Sequence, residues 1–169
     1  EILQGPIEKL RSGDLDGALA DLDEMMGVHK TNAEVHHMFA EFANMKNTEA
    51  QEDVIPGGKI MMAYKKAMQM DEENMEYIGD FATFALECRR IPVAVKEFQR
   101  YARRLELEDI PVDEILFTAS RNIVDAIEVM DPSRQNPMVQ PWLKQALIWS
   151  IGGLGYSPED AIEMLQSED

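Results

Sequence analysis

Cysteine is almost missing: Cys88 stands alone among 169 residues, so no disulfide can form within the chain, and the usage suits the reducing cytoplasm, which is the compartment expected. Positive charge is scarce as well. Lys and Arg number 16 against 32 Asp and Glu, a net charge of -16. That balance repels phosphate backbones and anionic lipid, and it excludes nucleic acid and membrane surfaces as principal partners. Long apolar runs are absent too. The longest, Ala146 to Gly155, is broken by Ser150 and glycines and falls short of the roughly 20 residues a spanning helix needs. Glu1 rather than Met stands first, which is compatible with removal of a targeting segment. Catalytic signatures are lacking in the same way. Gly152-Gly153-Leu154-Gly155 has neither the lysine nor the preceding strand of a phosphate loop and reads as a helix end and turn. Carboxylates are so numerous that spacing selects no acidic pair. Neither an enzyme activity nor a cofactor is expected.

What the chain does contain is an echo. Phe39-Ala40-Glu41-Phe42-Ala43 returns at an offset of 42 as Phe81-Ala82-Thr83-Phe84-Ala85, each with the three- and four-residue apolar spacing of a helix. A second helix follows each, with Ile60, Tyr64 and Ala67 recurring at an offset of 34 as Ala94, Phe98 and Tyr101. The same offset relates Ile78, Phe81 and Ala85 to Val112, Ile115 and Ala119. The shorter offset therefore sets the repeat unit, and the first full copy carries eight more residues, expected as loop at Lys46 to Asp53 and Pro56-Gly57-Gly58. Pro92, Pro111, Pro141 and Pro158 are placed to open helices, since the first turn leaves their missing N–H without consequence, and Ser157 is an expected N-cap.

A helical hairpin of that length resembles the tetratricopeptide repeat. Tyr64, Ala67 and the acidic turn Asp71-Glu72-Glu73-Asn74 look like the end of that family's second helix, and Gly13-Asp14-Leu15-Asp16-Gly17-Ala18-Leu19 is similar to its entry into that helix. Ala18, Ala40, Ala82 and Ala94 take the family's small positions, whereas His36 and Ile78 stand where it has tryptophan. The resemblance implies an all-α fold, a right-handed superhelical solenoid of about three to four helix-turn-helix hairpins. The repeats would occupy residues 1–130 (6–32, 33–74 with the insertion, 75–108 and 109–130), and capping helices residues 131–169, closed by Trp142, Leu143, Ala146, Leu147 and Trp149.

Single residues that could carry chemistry each have a plainer reading. His37 and Glu41 share a helix face, but two ligands are not a metal site; His36 falls at a packing position, and no metal is assigned. Cys88, beside Arg89 and Arg90, is expected to be a buried, inert thiol. The 12 methionines are expected mostly in the core, with clusters such as Met61-Met62 as candidates for an adaptable surface. Lys96, Arg100, Arg103 and Arg104 form a cationic stripe read as a solvated face that pairs with Glu97 or with a neighbouring acidic helix, rather than as a site for an anion or acidic partner.

In the family that this chain resembles, the first helices of successive hairpins line a concave groove. Carried over, that lining comprises Glu34, His37, Met38, Glu41 and Met45, then Glu76, Asp80, Thr83 and Glu87, then Asp113, Glu114, Phe117 and Arg121. Such a lining is acidic with apolar spots. It suits another protein or peptide carrying basic and apolar residues, and the leading expectation is an adaptor or assembly factor. Two alternatives are a metal-binding or enzyme-associated domain built on His36 and His37, and a self-associating subunit that uses Trp142, Trp149 or residues 46–58.

Overall fold

The computed structural model describes residues 2–167; residue 1 of the expected repeats and residues 168–169 of the expected caps lie outside them. Among the described residues every regular element is a helix: α1 (Gln4–Arg11), α2 (Leu15–Val28), α3 (Ala33–Ala50), α4 (Gly57–Met70), α5 (Met75–Glu87), α6 (Ile91–Leu107), α7 (Glu114–Met130), α8 (Gln140–Gly153) and α9 (Pro158–Ser167). The all-α class expected from the sequence is what forms. No helix among them is long and apolar enough to cross a membrane.

Local chemistry sets the boundaries. The side chains of Asp14, Asn32, Asn74, Asp113 and Ser157 each accept from a backbone N–H three residues on, and thereby cap α2, α3, α5, α7 and α9. Pro92, Pro141 and Pro158 lie in first turns as expected. Pro111 does not: it precedes α7 by three residues, because Asp113 supplies the cap and fixes the start there. Helix ends α1, α3, α5 and α6 share one closure, with Gly13, Gln51, Arg89 and Asp109 in the left-handed region. At α5, for example, Arg90 N–H reaches Ala85 O and Arg89 N–H reaches Leu86 O, both at 2.9 Å, which satisfies carbonyls that the helix leaves open.

The caps and closures show where the eight extra residues went. Asn32 and Asn74 make the same two bonds: each N–H donates at 3.1 Å to the carbonyl three residues before it, and each side chain accepts three residues after it. From this cap to the left-handed closure, Asn32 to Gln51 is four positions longer than Asn74 to Arg89. From the closure to the matched core residue, Gln51 to Ile60 is again four positions longer than Arg89 to Ala94. Half the insertion is thus one more helical turn and half is loop. Lys46 to Ala50, and Gly57 with Gly58, are helical rather than the loop expected. Lys46 is anchored there by an ion pair to Asp16 at 2.9 Å.

The chain divides into two compact units, Glu1–Tyr77 and Ile78–Asp169, with the division inside α5. In the first, α1 packs on α2, α2 on α3 and α3 on α4. Phe39, Ala40, Phe42 and Ala43 of α3 are buried, as are Ile60, Ala63, Tyr64 and Ala67 of α4. The alanines let the two backbones approach, and each large apolar side chain contributes about 1.5–3 kcal/mol by leaving water. In the second unit α6 packs on α7, α7 on α8 and α8 on α9. Ser120 Oγ of α7 meets Ser150 Oγ of α8 at 2.8 Å, and a Cβ at Gly152 would come within 2.8 Å of Val112. Leu143, Ala146 and Trp149 of α8 are buried while Trp142 and Leu147 are half-buried.

The repeat register holds at α6, where Ala94, Phe98 and Tyr101 are buried, and slips at α7. Ile115 is 50% exposed and Val112 precedes the helix; the core positions are Leu116, Ala119, Ser120 and Ile123. The methionines also depart from expectation. Met68 is buried, and the other eleven are half-buried or exposed.

Candidate functional site

The capped start of α3 fixes which side chains it turns inward. Val35, His36, Phe39, Ala40, Phe42 and Ala43 are buried, which leaves Glu34, Met38, Glu41 and Met45 as a stripe at three- and four-residue spacing along the opposite side. Glu34 and Met45 are exposed, Met38 and Glu41 half-buried. His36 is 3% exposed and its Nε2 lies 3.0 Å from the carbonyl of Lys30, whereas Nδ1 has no hydrogen-bond partner among the described residues. It is a packing histidine, in keeping with its register position.

His37 is different. It is 8% exposed, yet its Nε2 lies 3.4 Å from Oε1 of the half-buried Glu41. Its ring packs against Tyr77, centroid to centroid 4.5 Å, and edge-on to Tyr64 at 5.9 Å. Glu76, in the first turn of α5, joins this pair, so that ligand atoms of His37, Glu41 and Glu76 all lie within 4.8 Å of one another. Asp80 follows Glu76 by one turn on the same helix. Tyr77 registers the resulting field. Its phenol is held above the usual range by burial first, and then by the negative charges of Glu34, Asp71, Glu76 and Glu41. Beside it, Lys30, Asn32, Glu34, Asp71 and Asn74 border an open cleft of about 850 Å³.

Of the 13 groove residues inferred from the sequence, Glu34, His37, Met38, Glu41, Met45 and Glu76 belong to the first unit. In the second, Thr83 and Glu87 of α5 and Glu114 and Arg121 of α7 are exposed, and Asp80 is half-buried. Glu87 has its carboxyl raised by partial desolvation. Two residues are committed to the fold instead. Asp113 accepts from Leu116 N–H at 2.9 Å and from the Tyr101 hydroxyl, and Phe117 lies where a Cβ on Gly153 would strike its ring. No pattern in the residues signals either role, since both depend on where α7 starts and on the approach of α8.

The cationic stripe also reads differently in three dimensions. Lys96, Arg100 and Arg103 line a cleft of about 430 Å³ between α6 and α8, with Gln99, Gln145 and Trp149. Arg100 pairs with buried Glu97 at 2.7 Å, as expected. Cys88 is exposed rather than buried; it lies one residue past the end of α5, between Glu87 and the left-handed Arg89. No family model matches the chain, and no curated protein matches it.

Proposed function

We propose that this chain is a non-enzymatic interaction scaffold, an adaptor or assembly factor built from tetratricopeptide-like hairpins, which takes a basic, amphipathic segment of another protein on its acidic face. The observation that carries the reading is an acidic field built around the packed rings of His37 and Tyr77: Glu41 stands 3.4 Å from His37, Glu76 brings a carboxylate within 4.8 Å of that pair, and Glu34 and Asp71 border the cleft beside Tyr77. Such a field draws lysine and arginine and repels acidic segments, and its contribution falls as salt screens it. Apolar anchors are at hand. Met38 and Met45 lie on the same stripe of α3 and are not fully buried, and methionine adapts its shape to varied partners. The recurrent caps at Asn32 and Asn74 support the hairpin-repeat architecture.

The test uses a synthetic amphipathic peptide of lysine and leucine, with a lysine-to-glutamate version as its control. The chain should bind the basic peptide in a salt-sensitive manner and ignore the acidic one. Reversal of Glu34, Glu41 and Glu76 together to lysine should weaken binding at least about tenfold, the effect of some 1.4 kcal/mol. Unchanged binding by a variant with native circular dichroism overturns the reading.

A further inference from the structure

The sequence offers two metal ligands on one face of α3 and no third. The structure brings the third from another helix of the same compact unit, Glu76 of α5. We propose that His37, Glu41 and Glu76 form a binding site for a divalent first-row transition ion, with zinc as its best-matched occupant.

Zinc holds imidazole nitrogen and carboxylate oxygen at about 2.0–2.2 Å in a tetrahedron, which sets neighbouring ligand atoms roughly 3.4 Å apart. His37 Nε2 and Glu41 Oε1 stand at 3.4 Å already. A carboxylate oxygen of Glu76 lies within 4.8 Å of a ligand atom of each of these two residues, and the exposed side chain of Glu76 can close that gap by a change of rotamer. Water completes the shell.

His37 is not a surface histidine that happens to pass a carboxylate. It is nine-tenths buried, and Tyr77 and Tyr64 bracket its ring, so the nitrogen that faces Glu41 is held in place before any ion arrives. Glu41 and Glu76 are by contrast open enough to solvent for an ion to enter. A fixed imidazole beside adjustable carboxylates is a common division of labour in metal sites.

Ligand chemistry selects the class of ion. One imidazole among carboxylates favours zinc and its neighbours over calcium and magnesium, which prefer all-oxygen shells. The convergence of two negative charges on the imidazole gives a cation an electrostatic gain that a neutral ligand would not have.

The experiment needs no partner protein, so its outcome is separate from that of the scaffold reading. The full chain is stripped with a chelator, dialysed, and titrated with zinc chloride by calorimetry in the presence of excess magnesium and calcium. One zinc per chain is expected. Glu76→Gln, an exposed change that leaves the core untouched, should weaken it at least tenfold, and so should Glu41→Gln, with helix content unchanged in both. Glu159→Gln, in α9, should bind as the parent does. Cobalt offers a second readout: its visible spectrum should show a nitrogen-containing low-symmetry site that His37→Gln abolishes. Three results overturn the proposal: no saturable zinc binding, binding that Glu76→Gln and Glu41→Gln leave intact, or calcium binding as tight as zinc.

Discussion

The side chain of Asn47 takes both backbone groups of Ile55: its Nδ2 donates to the Ile55 carbonyl at 2.8 Å and its Oδ1 accepts from the Ile55 N–H at 2.9 Å. One residue of α3 thereby imitates a strand partner for the far end of the loop that precedes α4. Both bonds are part-buried, and the loop they close contains the four residues of the insertion that are not helix.

Asn47→Ala removes both bonds at once. The expected loss is about 1–2 kcal/mol, at roughly 1 kcal/mol for each intramolecular bond. Asn47→Asp keeps the acceptor and loses the donor, and should fall between. Urea unfolding measures the totals, and hydrogen exchange at Ile55 locates the effect: fast exchange should appear at that amide in the alanine variant while the amides of α3 keep their protection.

The left-handed helix closures give a pair of substitutions with opposite signs. Gly13 and Arg89 occupy equivalent positions, with φ of 87° and 62°, but Arg89 bears a Cβ that this conformation disfavours. Arg89→Gly should stabilise the chain by a few tenths to about 1 kcal/mol, the relief exceeding the entropy glycine adds to the unfolded state. Gly13→Ala should cost about 1 kcal/mol for the reverse reason. Thermal unfolding of the two variants and the parent is sufficient; a fall in melting temperature for Arg89→Gly would mean that the Cβ at this closure carries no strain.

What is legible in the sequence depends on the range of the forces involved. Periodicity and caps act within a few residues, so the helices around Phe39, Ile60, Phe81 and Phe98, the cap at Ser157 and the tail helices can be read directly. The repeat register holds as long as successive helices keep the same packing face. It slips at α7, where Asp113 rather than Pro111 starts the helix and Leu116 replaces Ile115 in the core. Lys46 to Ala50 resembles loop by composition, yet nothing in those residues forbids a helix, and the ion pair to Asp16 favours one. The site is half visible. Spacing along α3 marks the face that carries Glu34, Met38 and Glu41, and it pairs His37 with Glu41. Glu76 can be placed on the acidic lining but not beside His37, because that depends on how α5 follows α4. The exposure of Cys88 and of most methionines is out of reach for the same reason: residue type biases burial, and the packing of neighbouring helices decides it.

Tyr101 provides the clearest pH dependence. Its phenol is buried and donates to the Asp113 carboxylate, and burial first, then that bond and the charges of Asp113 and Asp80, hold it well above the usual tyrosine range. A group whose folded value is raised contributes its stability in full below the unfolded value. Below about pH 10 the phenol is protonated in both states and stability is unaffected. As pH climbs past that point the unfolded chain ionises first, so the folded state loses ground until the native phenol itself ionises. Tyr77 shifts in the same direction. Tyr101→Phe should cost about 1.5 kcal/mol near neutrality, the loss of a hydrogen bond to a charged acceptor. Between about pH 9 and pH 11 the gap between parent and variant should narrow, because only the parent carries the titrating group. Urea unfolding across that range measures it, and phenolate absorbance gives an independent check, since Tyr101 should ionise with the unfolding transition rather than ahead of it. A gap that stays constant to the alkaline end would show that the Tyr101 hydroxyl is not held by Asp113 in the way its position indicates.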